Sequence, residues 1–237
     1  MSQSNSAGWL PAIGGGIVGA ALTAGALMFA GPSLIGERLV RQALLASPEI
    51  IIDAGDALRD KQYAEVLAPI RQQLERPFHS SWKGAEKPDV TLTYFFDYAC
   101  GYCRVSNADI ERLLKEDKGL RVVYREFPIL GPDSIAAARV SLAASKAGKF
   151  AEYHDALYAA GRPGPDTVAI AAKAAGISPQ PAEDPAQEAE LRSNMMFASQ
   201  LGLQPATPVF VVGNRVIQSA PGYEALKAAI ETARAKG

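Results

Sequence analysis

The chain has 237 residues, with 24 Lys and Arg against 25 Asp and Glu, for a formal charge of −1. That balance excludes nucleic-acid binding through a basic surface, because phosphate recognition needs clustered positive charge. Hydrophobic residues make up 48% of the sequence. This excludes global disorder, and the length suits one domain with additions.

No Asp, Glu, Lys or Arg precedes Glu37. Within that opening, residues 9–30 read WLPAIGGGIVGAALTAGALMFA, long enough to span about 30 Å of hydrocarbon as a helix. Gly31-Pro32 then breaks the pattern. A membrane anchor is the expected reading, with residues 1–33 as an anchor or signal segment. A cleaved signal peptide is the alternative, because Ala24-Gly25-Ala26 fits a small-x-small cleavage site. Gly15 and Gly19 form a GxxxG, which packs helices in membranes but also arises by chance in a glycine-rich run. Arg38 and Arg41 follow the apolar run and no basic residue precedes it. By the positive-inside rule this opposes export of the remainder.

Residues 34–77 form a helical region. Leu39, Val40, Leu44 and Leu45 mark a first apolar stripe, and Val66, Leu67, Ile70 and Leu74 a later one. Ser47 reads as an N-cap with Pro48 and Glu49 in the first turn. Such stripes must pack on the main domain, on each other or on other subunits. Residues 76–89 are turn-rich and mark a boundary.

The catalytic candidate lies in residues 78–237. Residues 90–98, VTLTYFFDY, read as a buried strand, and FFDYACGYCR carries both cysteines of the chain, Cys100 and Cys103. A helix with Val105, Ile110, Leu113 and Leu114 follows, then a second strand, LRVVYREFP. The order is a βαβ unit with the cysteines at the strand-to-helix turn. A helical block spans about 132–203, with Ser134 and Asp166 as expected N-caps and Gly148 and Gly176 as expected stops. Two β-branched runs then flank Gly213-Asn214, a two-residue hairpin signal, and a last helix closes the chain.

Cys100 falls where the first free N–H groups of a helix point. Those donors and the helix dipole stabilise a thiolate, and Cys103 lies one turn on, within reach of disulfide formation. Other readings stay open. Structural zinc wants four ligands, whereas the two histidines, His79 and His154, stand at no zinc-finger spacing. Copper(I) is softer and accepts two thiolates, so a copper(I) carrier is a rival of another class. Inert buried thiols are the plain alternative. Asp97 is either a proton relay or a turn cap, and Glu126 is expected in a structural salt bridge. His154 is expected to pack between helices, and Met195-Met196 to fill core rather than bind copper.

From residue 90 onward the sequence resembles the DsbA-like branch of the thioredoxin superfamily. The resemblance is carried by FFDYACGYC, the helical insertion, TPVFVVGN and the last helix. It implies an α/β thioredoxin fold with a helical insertion. Cys100 is then the nucleophile, Cys103 the resolving cysteine, and Gly101 and Tyr102 the tuning dipeptide. Thr207-Pro208 is a cis-proline loop that binds substrate backbone, and no cofactor is required. The region around LLASPEIIIDAGDALRDKQ is similar to the N-terminal helices of the ScsC (suppressor of copper sensitivity) group, which implies oligomerisation, by resemblance as a trimer. The well-known DsbA oxidases have CPHC, valine before the proline and a buried glutamate six residues before the nucleophile. Here Thr207 precedes the proline and Tyr94 takes the glutamate's place. The resemblance therefore implies an envelope thiol–disulfide oxidoreductase leaning to isomerase or reductase, with a dithiol oxidase as the alternative. Its partners are cysteine-containing envelope proteins and an inner-membrane redox partner of DsbD or DsbB type. Its expected location is the periplasm of a Gram-negative bacterium, anchored in the inner membrane or soluble after cleavage.

Overall fold

The structure is a computed structural model that describes residues 31–236. Residues 9–30, the expected anchor or signal, lie outside them. Among the described residues no helix is long and apolar enough to cross a membrane. The chain divides into two compact units, one reaching Ala57 and one beginning at Leu58.

The first unit holds α1 (Gly31–Ala46) and the first half of α2 (Glu49–Leu67). Its apolar side chains face solvent: Leu39 is 60% exposed, Leu45 74%, Ile51 62% and Ile52 66%. The later stripe behaves differently. Leu67, and Leu74 on the short α3 (Arg71–Leu74), are buried within the second unit against Phe95, Phe127, Phe197, Val209 and Val211.

The second unit is built on a five-stranded sheet of order β1-β3-β2-β4-β5. The strands are β1 (Trp82–Gly84), β2 (Val90–Phe96), β3 (Leu120–Glu126), β4 (Val209–Val212) and β5 (Arg215–Ile217). β2 and β3 run parallel, joined by α4 (Gly101–Glu116), while β1, β4 and β5 pair antiparallel to their neighbours. β1 lies inside the stretch read as a turn-rich boundary. Three residues on a sheet edge are too few to show a period-two pattern. Gly213, at φ 55°, closes the expected β4–β5 hairpin.

Alternation along β2 sends its side chains to opposite faces. Leu92, Tyr94 and Phe96 enter one core with α4, the first three insertion helices and α9 (Tyr223–Lys236), while Phe95 enters the other with Leu67, Leu74 and Phe197 of the fourth. The insertion comprises α5 (Pro132–Lys146), α6 (Phe150–Ala160), α7 (Pro165–Ala175) and α8 (Pro185–Gln200). Two expected caps are corrected. α5 starts from Gly131 and α7 from Gly164, each with proline in the first turn, so Ser134 and Asp166 lie inside the helices. Pro supplies a helical φ where its missing N–H costs nothing, and so moves the start upstream. The glycine stop at Gly176 is left-handed as expected, at φ 70° and ψ 32°.

Candidate redox site

Cys100 is the N-cap of α4, in extended conformation, and its sulfur accepts the backbone N–H of Cys103 at 3.3 Å. Both cysteines are free thiols, Cys100 7% and Cys103 0% exposed. The Thr207–Pro208 bond is cis, as expected. It faces the pair: the Cys100 thiol lies 3.2 Å from the Thr207 carbonyl oxygen and donates to it when protonated. Pro208 is buried, and the Thr207 hydroxyl oxygen is buried without a hydrogen-bond partner among the described residues. Gly101 is exposed in the first helical turn, and Tyr102 beside it is 71% exposed. The structure thus brings Cys100, Gly101, Tyr102, Cys103, Thr207 and Pro208 to one end of the sheet.

The two thiols are driven apart. The Cys100 pKa falls to about 5, chiefly through the hydrogen bond from the Cys103 thiol. Burial opposes this, while the backbone N–H groups of Cys103 and Tyr102 assist it. Burial, and then the bond to Cys100, push the Cys103 thiol far up. At neutral pH the arrangement holds a thiolate at the edge of the surface beside a fully buried thiol, the division of labour that thiol–disulfide exchange uses.

The turn carrying Cys100 is fixed by Asp97, which is 1% exposed. Its carboxylate accepts from the backbone N–H groups of Ala99, Ile129 and Leu130 and from the Ser134 hydroxyl. Its backbone carbonyl accepts the Cys100 N–H at 3.0 Å and the Tyr158 hydroxyl at 3.3 Å. Of the two expected roles the geometry supports the turn cap, since three of the four donors on the carboxylate are backbone N–H groups. Ser134, displaced from its expected capping role, is recruited here.

Three further expectations meet the structure. Among the described residues Glu126 forms no ion pair: its carboxyl is 1% exposed, lies 2.7 Å from the Ser141 hydroxyl, and is pushed up to about 8 by burial. The neighbouring Arg125 makes the salt bridge instead, to Glu190. Alternation along β3 puts the two side chains on opposite faces. Met195 and Met196 are about half exposed, at 50% and 49%, rather than core filler. His154 does pack between elements, ringed by Phe96, Tyr98, Tyr124, Phe150 and Tyr158 with centroids 4.9–5.5 Å away. Sequence reasoning missed Tyr94 and Tyr158 as supports. The Tyr94 hydroxyl donates to the Cys103 carbonyl at 3.2 Å, and Tyr158 holds Asp97. Phe150, Tyr153, His154, Leu157 and Tyr158 are spaced as one helix face, and that spacing is the signal that would have found Tyr158.

Comparison with known proteins agrees with this geometry. The structure is similar to a thioredoxin-like oxidoreductase from Silicibacter pomeroyi DSS-3, at 34% identity and TM-score 0.63 over 70% of this chain and 98% of that one. It is similar to a periplasmic thioredoxin-like protein from Salmonella enterica serovar Typhimurium, at 26% identity and TM-score 0.65 over 70% of this chain and 96% of that one. Proteus mirabilis ScsC in a transitional conformation matches at 25% identity and TM-score 0.67 over 88% of this chain and 99% of that one. Among curated proteins, the Na(+)/H(+) antiporter NhaA 3 of Salinispora tropica is 29% identical over 144 residues, 60% of this chain, and the chain spans 19% of that antiporter's length. A family model described as thioredoxin matches residues 79–232. The chain belongs to the thioredoxin family, with DsbA-like proteins of the ScsC group among its structural neighbours.

Proposed function

We propose that this protein is an envelope thiol–disulfide oxidoreductase in which Cys100 is the nucleophile and Cys103 the resolving cysteine, leaning to isomerase or reductase. The observation that carries the reading is the Cys100 sulfur, set at the N-terminus of α4 against cis Thr207–Pro208 with its pKa brought down to about 5. The Cys100 thiolate attacks one sulfur of a substrate disulfide, forms a mixed disulfide, and expels the other sulfur as a thiolate. Either that thiolate attacks elsewhere and reshuffles the substrate, or Cys103, on losing its proton, attacks Cys100 and releases the substrate reduced. The second route leaves a Cys100–Cys103 disulfide that a membrane partner of DsbD type would reduce.

Tyr102 and Gly101 line the approach to Cys100, and the Thr207–Pro208 segment is assigned to substrate backbone. The exposed apolar side chains of α1 and α2 support assembly of several copies, a trimer by resemblance to ScsC. The Salmonella neighbour is a periplasmic protein, which supports a periplasmic location here. Retention by an anchor or release by cleavage is assigned to residues 1–33.

A dithiol oxidase, recharged by a partner of DsbB type, is the second reading. The low Cys100 pKa favours it, since a stabilised thiolate makes the disulfide more oxidising. A copper(I) carrier using the same sulfurs is the rival class. Turnover of scrambled ribonuclease by the wild type, lost in Cys100→Ala, is the expected result. No turnover together with tight copper(I) binding would replace the enzyme reading with the carrier.

A further inference from the structure

Glu126 ends β3 beside Phe96 of β2 and has no part in the exchange described above. One carboxylate oxygen, Oε1, is 2.7 Å from the Ser141 hydroxyl on α5, while the other, Oε2, is buried with no hydrogen-bond partner. The contact continues. The Ser141 hydroxyl is 2.8 Å from the Tyr98 hydroxyl, and the Tyr98 hydroxyl is 3.3 Å from His154 Nδ1 on α6. Tyr98, Ser141 and His154 are 3%, 0% and 2% exposed. Tyr98 stands two residues before Cys100 and next to Asp97, the residue that fixes the turn. Four buried polar groups therefore run in a line from the end of β3 to the strand-to-helix turn of the redox site.

With the carboxyl proton on Oε1 or absent, the line takes one of two arrangements, whereas a proton on Oε2 would leave Ser141 donating to Oε1 in both states and the His154 tautomer unchanged. With a neutral Glu126, Oε1–H donates to Ser141, Ser141 donates to Tyr98, and Tyr98 donates to His154 Nδ1, the imidazole proton sitting on Nε2. With an ionised Glu126 every bond reverses: Ser141 donates to Oε1, Tyr98 donates to Ser141, and His154 must carry its proton on Nδ1 to donate to Tyr98. The ionised form also leaves Oε2 as an unpaired buried anionic oxygen, which is costly. The neighbours relieve it only in part: the Ser141 hydroxyl and the Arg125 charge favour the ionised form, and burial outweighs them. Tyr153 of α6 gives its hydroxyl proton to the Ala137 carbonyl, and Asn194 of α8 donates to the Glu126 backbone carbonyl. Arg125 is committed on the other sheet face to Glu190 and to carbonyls of residues 73–76, Glu190 adds a repelling charge, and Lys83 disfavours a charged His154.

We propose that Glu126 is a positioning residue for the redox site: as a neutral acid it sets the direction of the Glu126–Ser141–Tyr98–His154 hydrogen-bond chain that holds Tyr98 and, through it, the turn presenting Cys100. Ionising Glu126 reverses the chain, switches the His154 tautomer and loosens that turn. A loosened turn holds the Cys100 thiolate less well, and the more basic thiolate is the more nucleophilic. The inference rests on Cys100 being the reacting thiol and extends to what holds it.

The test uses the full reduced protein. Carbon-13 NMR of the Glu126 carboxyl and nitrogen-15 NMR of His154 are followed with pH, alongside the rate of Cys100 alkylation by iodoacetamide. In the wild type the carboxyl signal and the His154 tautomer change together with a midpoint near 8, and alkylation shows a step upward at the same midpoint. Glu126→Gln keeps the neutral-pH alkylation rate, because its amide can donate to Ser141, and loses the step. Ser141→Ala moves the Glu126 titration up, because it removes the hydroxyl that favours the ionised form, and uncouples both His154 and Cys100 from it. A Glu126 that is already ionised at neutral pH overturns the proposal. So does a His154 tautomer independent of Glu126, or an alkylation step equally present in Glu126→Gln. Loss of ribonuclease turnover with the step intact would remove the exchange reading alone, and a missing step with turnover intact would remove this proposal alone.

Discussion

Removing the Cys100 sulfur from the reduced protein should change stability in a pH-dependent way. An unfolded cysteine titrates at about 8.5, whereas folded Cys100 titrates at about 5. Each unit of that difference corresponds to about 1.4 kcal/mol of preference for the folded thiolate, an upper bound near ~5 kcal/mol. The sign follows from the depressed folded value: the contribution is fully present above the unfolded pKa of about 8.5 and is lost as pH falls through about 5. Glu126, at about 8, titrates at the upper end of this window with the opposite slope and is coupled to Cys100, so the assay stops below it: urea unfolding of the reduced wild type and of reduced Cys100→Ala from about pH 5 to about pH 7. The stability gap should widen steadily as pH rises. A gap that stays constant across the range would refute a lowered Cys100 pKa as the source of its reactivity.

Asp97→Ala removes the acceptor of three backbone N–H groups and one hydroxyl in the core. It should cost about 3 kcal/mol or more, read as a lower urea midpoint, with a cost below ~1 kcal/mol contradicting its role as turn cap. The chain lacking residues 1–33 should scatter light as an oligomer at micromolar concentration, because Leu39, Val40, Leu45, Ile51 and Ile52 are each more than half exposed in the single chain. A monomer would sink the assembly reading. Equilibration of the Cys100–Cys103 pair with glutathione should give a reduction potential of about −180 mV or lower, whereas a value near ~−120 mV would turn the assignment to the oxidase.

How much was legible in the chain follows from how local each signal is. The strand, the CGYC turn and the amphipathic helix after it are neighbours in sequence, and their order alone put Cys100 at a helix N-terminus. Thr207-Pro208 was legible only through the resemblance, because the thioredoxin architecture puts a cis proline just before the strand that here carries VFVV. What failed depended on distant partners. Ser134 reads as a helix cap until Asp97, on another strand's end, takes its hydroxyl. Glu126 reads as half of a salt bridge because acids beside arginines usually are, but strand alternation sends Arg125 to the other face. The apolar stripes of residues 34–75 look alike in sequence, yet Leu67 and Leu74 are buried and Leu39 and Leu45 are not. Periodicity shows that a face is apolar and leaves open what covers it. Tyr94, at the position where the resemblance led to a glutamate, contributes a hydroxyl to the Cys103 carbonyl instead of a carboxylate.

The central claim is that Cys100 attacks disulfides and Cys103 resolves the adduct. Cys103→Ala removes the resolving thiol and, with it, the hydrogen bond that chiefly lowers the Cys100 pKa, so the reaction is run at about pH 9, where even an ordinary thiol is ionised. Reduced Cys103→Ala, mixed with a disulfide-bonded protein substrate and analysed by intact mass under non-reducing conditions, should accumulate a covalent adduct through Cys100. The wild type should turn over without accumulating it. A Cys103→Ala protein that forms no adduct while its Cys100 remains free and folded would contradict the account.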